Sequence, residues 1–124
     1  MLNVELSMKK ENVIVDKSFE FALKIIQLYK ILKGENEFII SKQILRSGTS
    51  IGANVQEATA GFSKKDFTHK MSIASKEARE TRYWLQLLNK SNLTNTNVDI
   101  HLKEVEHLIS ILTKIVKTAQ QNLK

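Results

Sequence analysis

Two stretches of this chain carry residue types that hold metal ions in helical proteins. Glu104-Val105-Glu106-His107 contains a Glu-x-x-His spacing, and Asp66-Phe67-Thr68-His69 repeats it with Asp in place of Glu. Two such motifs with two further inward Glu residues build a di-iron centre in a four-helix bundle. Antiparallel geometry tests the idea directly. Residues at the same height on antiparallel neighbours have a nearly constant sum of numbers, about 125 across a turn near residues 61–64 and about 187 for the next pair, since each residue rises 1.5 Å. Asp66 then stands level with residue 121 and Glu104 with residue 83, which puts the motifs ~25 Å apart. These His and Glu residues read as surface groups, and no metal or other cofactor is expected.

Covalent catalysis finds no better footing. The chain has no cysteine, and the serines between 47 and 50 have no histidine at their height. Gly48-x-x-x-Gly52 lacks the strand-to-helix turn of a phosphate loop. The surrounding stretch instead keeps large apolar residues at helical spacing: Ile40, Ile44, Ile51, Val55, Ala58 and Phe62. A glycine inside a helix costs about 1 kcal/mol relative to alanine. Two retained here imply that a neighbouring backbone comes close. On the polar side Arg46, Ser50, Asn54 and Glu57 share a face. Arg46 lies level with Arg79 and Glu80, and Glu57 with Thr68, His69 and Lys70, so that Arg46 can pair with Glu80 or Glu77 and Glu57 with Lys70 or His69. Arg46, Asn54, Glu57, Glu77 and Glu80 therefore read as a polar network that fixes helix register, with ligand binding as the sharper alternative. No small-molecule substrate is predicted.

Charge offers a different chemistry. The 124 residues carry a net charge of +6. Residues 1–62 hold eight basic and seven acidic side chains, whereas residues 63–124 hold eleven and six. Lys64, Lys65, Lys70, Lys76, Arg79 and Arg82, with Lys114 and Lys117 further on, are the candidate contacts to RNA or DNA. The plainer reading is a solvated face that keeps the chain soluble. Tyr83 and Trp84 have the chemistry to stack on bases or to pack against a neighbouring helix.

The elements that position these residues follow from spacing. With no proline and four glycines, the composition suits long helices with short connections. Helices are predicted at about 14–33, 37–61, 64–90 and 97–123, after a polar lead over residues 1–12. Gly34 and Gly61 read as C-terminal stops, and Ser63-Lys64-Lys65-Asp66 as a capping box. Helix three repeats Phe67, Met71, Ala74, Ala78, Thr81, Leu85, Leu88. Helix four repeats Val98, Leu102, Val105, Ile109, Leu112, Val116, Ala119, Leu123. One all-α domain spanning 1–124, an antiparallel up-down-up-down four-helix bundle, satisfies this pattern. Helix one is apolar on two sides, with Phe21, Ile25, Leu28 and Leu32 on one and Phe19, Ala22, Ile26 and Tyr29 on the other. The second side implies a subunit contact, hence a homo-oligomer. No apolar run approaches the ~20 residues of a membrane span, and the N-terminus lacks a signal-peptide pattern, so a cytoplasmic protein is expected.

Three segments carry a resemblance. Residues 21–30 (Phe21-Ala22-Leu23-Lys24-Ile25-Ile26-Gln27-Leu28-Tyr29-Lys30), the run Gln43 to Ala58 around Arg46-Ser47-Gly48, and Lys76-Glu77-Ala78-Arg79-Glu80-Thr81-Arg82-Tyr83-Trp84-Leu85 resemble the bacterial four helix bundle protein family. Its founding members are encoded in intervening sequences of large-subunit ribosomal RNA genes. The likeness spans about residues 14 to 121. It implies an antiparallel four-helix bundle and ring-like homopentamers. A related branch, the accessory proteins of diversity-generating retroelements, forms a basic pentameric barrel that binds nucleic acid and partners a reverse transcriptase. The family has no catalytic residues, so the resemblance implies a non-enzymatic protein. A protein-interaction scaffold without a nucleic-acid role is the alternative.

Overall fold

The computed structural model describes the backbone of residues 2–123 and the side chains of residues 12–123. Four helices follow one another: α1 (Leu2–Gly34), α2 (Ile40–Thr59), α3 (Lys64–Ser91) and α4 (Asp99–Leu123). Each packs on its two sequence-cyclic neighbours, and among the described residues no diagonal pair packs. Facing pairs climb on one helix as they fall on the next. Gly48 and Gly52 of α2 meet Ile25 and Ser18 of α1. Arg46 meets Glu77 and Glu80, while Glu57 meets Lys70. Arg79 meets Thr113 and Arg82 meets Glu106. Every neighbouring pair in these contacts is antiparallel, and Lys24 against Glu104 closes α4 back onto α1.

The apolar stripes form one core. Phe21, Ile25, Leu28 and Leu32 of α1 are buried with Ile44, Ile51 and Val55 of α2. Met71, Ala74, Ala78, Leu85 and Leu88 join them from α3, and Val98, Val105, Leu108 and Leu112 from α4. A buried side chain of this size contributes roughly 1.5–3 kcal/mol, so the four stripes supply the dominant stabilisation. One polar pair interrupts them. Thr81 Oγ1 donates to Ser47 Oγ at 2.9 Å, and Ser47 donates to the Gln43 carbonyl at 2.9 Å. Both hydroxyls are buried and satisfied. Thr81→Val removes the bond between α2 and α3 at nearly constant volume. It is expected to lower unfolding stability in a denaturant titration by about 1 kcal/mol.

Several boundaries differ from the sequence reading. Helix α1 starts at Leu2 and not near residue 14. Residues 2–12 are polar but lack proline and glycine and are rich in Leu, Met, Glu and Lys, all good helix formers. Gly34 is the last helical residue and takes no positive φ; the left-handed residue is Asn36, with φ of 65°. Asn36 N–H bonds the Lys33 carbonyl and Glu37 N–H the Leu32 carbonyl, the pairing of a Schellman stop. Helix α2 starts at Ile40 because Glu37 turns back, its carboxylate accepting from the N–H groups of Ile39, Ile40 and Ser41. It ends at Thr59, so Phe62 leaves the apolar stripe and stands fully exposed on the turn. Gly61 also lacks a positive φ; a Cβ there would come within 3.2 Å of the Ala58 carbonyl oxygen, so close approach explains it. Ser63 caps α3, accepting from Asp66 N–H at 3.1 Å.

Candidate nucleic-acid interface

The basic residues of α3 and α4 sort by helix face. Arg79 reaches across to α4, donating to the Thr113 hydroxyl at 3.1 Å, and Arg82 pairs with Glu106 at 3.0 Å. These contacts define the α3–α4 seam. Glu106, Thr113 and Lys117 fall on one stripe of α4 at i, i+7 and i+11, and Lys114 is the next residue round from Thr113. On α3 Lys76 precedes Arg79 by one turn, and Lys65 stands three turns before Lys76. All of these lysines are exposed. Lys64 stands beside them in the first turn of α3. Lys70 lies elsewhere: its Nζ is 2.7 Å from the Glu57 carboxylate, on the α2–α3 seam.

The carboxylates of the same span have been drawn away from this face. Glu77 and Glu80 are both held by Arg46 on the α2 side, Arg46 Nη1 lying 3.3 Å from Glu77. Glu104 is held by Lys24 on the α1 side. Glu104 and Glu106 are two residues apart, about 200° round a helix, so they serve opposite seams. That leaves Glu106, already paired, Asp66 in the first turn of α3 and Asp99 in the first turn of α4. Among the described residues, no carboxylate lies within ion-pair distance of Lys64, Lys65, Lys76, Arg79, Lys103, Lys114 or Lys117. Lys103, absent from the residues singled out above, lies eleven positions before Lys114 and fourteen before Lys117, intervals that put all three on one side of α4. That spacing was the available signal.

The polar group around Arg46 divides in the structure. Arg46 bridges Glu77 and Glu80, and the Trp84 indole N–H donates to the same Glu80 carboxylate at 3.2 Å. Asn54 stays within its own helix, donating to the Ser50 carbonyl. Glu57 belongs to the separate pair with Lys70. The arrangement clamps α2 to α3 at two heights. Arg46 is half exposed, and exposed ion pairs contribute ~0–1 kcal/mol each.

The α1–α4 seam holds a shallow cleft lined by Lys17, Glu20, Lys24, Glu104 and His107 over a floor of Phe21 and Leu108. Its positive and negative groups alternate, so it favours neither anions nor cations. The Glu-x-x-His and Asp-x-x-His motifs do not converge, and among the described residues no three His, Asp or Glu side chains form a metal-holding group. His101 sits in the same seam with its Nδ1 buried and unpartnered. Burial holds its pKa below the ordinary 6.5, against the pull of Glu104 and with the push of Lys24. The folded state therefore binds fewer protons than the unfolded state between those two values. Stability is full above about pH 6.5 and falls as pH drops through the folded pKa. His101→Leu is expected to unfold with a smaller loss of stability between pH 7 and pH 5 than the parent, and to gain about 1 kcal/mol at pH 7 by removing an unpaired buried group.

Among the described residues, no helix is long and apolar enough to cross a membrane. No curated protein matches the chain. A crystal structure from Bacteroides thetaiotaomicron VPI-5482, a protein with unknown function from the S23 ribosomal protein family, superposes with a TM-score of 0.83. It is 47% identical, over 87% of this chain and 98% of its own. The model of the 23S rRNA-intervening sequence protein family matches residues 10–114, and the chain belongs to that family.

Proposed function

We propose that this chain is a non-enzymatic, cytoplasmic, homo-oligomeric bundle that binds nucleic acid through its α3–α4 face. The observation that carries the reading is charge segregation. Arg46 and Lys24 hold Glu77, Glu80 and Glu104 on other seams, which leaves Lys64, Lys65, Lys76, Arg79, Lys103, Lys114 and Lys117 on or beside one face. A cation already paired with a carboxylate has little left to offer a phosphate; these seven are unspent. Uncompensated cations in rows concentrate polyanions and release their counterions on contact. The resemblance to a family whose related branch, the retroelement accessory proteins, forms basic barrels that bind nucleic acid points the same way.

The test is a binding titration of the full chain with structured RNA and with DNA across a salt series. Affinity is expected to fall linearly on a log–log plot, with a slope of about −0.9 per phosphate engaged on duplexes. Undetectable binding at low salt, or affinity indifferent to salt, refutes the nucleic-acid role and leaves a protein-interaction scaffold.

A further inference from the structure

Resting on that reading, we propose that the α3–α4 face takes duplex nucleic acid by its two phosphate rows and not a single strand by its bases. The cations stand in two rows. Lys65, Lys76 and Arg79 form one along α3, and Lys103, Lys114 and Lys117 form the other along α4. Packed helix axes lie about 8–10 Å apart, and longer side chains splay the charged tips further. A duplex groove presents two phosphate strands at such a separation, about 12 Å for the major groove of B-DNA. A single strand offers one row.

The seam between the rows is also closed. Arg79 to Thr113 and Arg82 to Glu106 tie the two helices together at 3.1 and 3.0 Å. The face is a pair of ridges with no channel to enclose an extended strand. Single-strand binders add aromatic platforms on which bases stack, and here the exposed aromatics other than Tyr83 are placed elsewhere. Phe19 is on α1, Phe38 precedes α2, and Phe62 is on the α2–α3 turn. Tyr83 packs edge-on against Trp84 with ring centroids 5.1 Å apart. Trp84 is in turn held by Glu80, which Arg46 anchors to α2. Trp84 therefore leans toward the α2 side, while Tyr83, exposed and one turn after Arg79, ends the α3 row as a single ring and not a platform for successive bases.

The experiment is fluorescence anisotropy of the full chain with a two-turn duplex DNA, a two-turn duplex RNA and the corresponding single strands. Both duplexes are expected to bind at least about tenfold more tightly than the single strands, with a steeper salt slope. Lys114→Glu with Lys117→Glu is expected to weaken duplex binding by about tenfold or more while far-UV circular dichroism stays helical. Phe62→Ala and Tyr83→Ala are expected to change it less than about twofold. A preference between the two duplexes assigns the natural source and supports the duplex reading either way. Single-strand binding as tight as duplex binding, or a large loss on removing Phe62 or Tyr83, overturns the duplex assignment and leaves nucleic-acid binding standing. No binding to any probe at low salt overturns both.

Discussion

Gly48→Leu is expected to abolish cooperative unfolding, and Gly48→Ala to lower stability by up to about 2 kcal/mol. A Cβ at this position would stand 2.9 Å from both Cγ1 and Cγ2 of Ile25 and 3.3 Å from its Cβ. Ile25 is fully buried, and a β-branched side chain in a helix has one strongly preferred χ1. It cannot turn aside, so α1 and α2 must separate. For alanine the overpacking cost of roughly 1–3 kcal/mol is partly offset by the gain of about 1 kcal/mol from replacing a helical glycine. Leucine adds three more carbons to the same gap. The resulting loss exceeds the roughly 1–3 kcal/mol of ordinary overpacking and approaches the lower end of the roughly 5–15 kcal/mol that hold an ordinary domain together. Two other glycines grade the argument. At Gly52 the nearest atom is the Ser18 carbonyl oxygen at 3.3 Å, a tighter than usual contact with backbone. At Gly34 nothing lies within 4 Å and φ is not positive, so Gly34→Ala is expected to gain up to about 1 kcal/mol. Denaturant melts of the three alanine variants should rank Gly34 above Gly52 above Gly48. A Gly48→Leu protein as stable as the parent would show that α1 does not approach α2 at this point.

The small-residue stretch illustrates what the sequence disclosed and what it withheld. Glycines kept inside an apolar helical repeat say that something is close, because helix propensity argues against them. They do not say which neighbour, since that depends on Ser18 and Ile25 standing at the matching heights of α1. The apolar stripes of α3 and α4 were legible because a 4-3 spacing has one structural solution. The ends were less so. Asn36 replaces Gly34 as the left-handed stop because asparagine tolerates that conformation, and one residue of turn geometry decides between them. Glu37 could not be read as a cap, since its carboxylate must fold back on its own backbone to act as one. The basic face was half legible. Counting charges located an excess in the second half of the chain. The height rule set Glu57 against Lys70 or His69, and Arg46 against Glu80 or Glu77. It did not show that Glu104 is drawn to Lys24 on α1, which depends on which helix lies on the far side of α4.

Phe19→Glu combined with Leu23→Glu is expected to convert the protein into a monomer without unfolding it. Phe19 is 57% exposed and Leu23 50%, and they stand one turn apart on α1. Ala22 and Ile26 flank them, each half-buried. In a lone bundle this stripe meets water, and a contiguous apolar patch on a small domain marks a contact surface. A second copy of the chain covers it in the proposed oligomer. Because neither side chain belongs to the buried core, charging them costs the isolated bundle little. At a buried subunit contact the same charges must shed their water, at several kcal/mol each. The dissociation constant is expected to rise at least about 100-fold. Light scattering at micromolar concentration should then report the 14.2 kDa monomer for the variant and a multiple of it for the parent. Far-UV circular dichroism should match between them. Ile100→Glu locates the effect: Ile100 is as exposed, at 56%, but lies on α4, and its substitution should leave the assembly mass unchanged. A parent protein already monomeric at that concentration removes the oligomer from the proposed function. An Ile100 variant that dissociates as fully as the α1 variant moves the contact to the α1–α4 side, where Ile31 stands at the height of Ile100. Nucleic-acid affinity of the α1 variant then separates two sources of binding strength, because a monomer presents one α3–α4 face and an oligomer several on one duplex. A loss of affinity with an unchanged single-face salt slope would identify avidity, in which linked copies bind more tightly with no new contact.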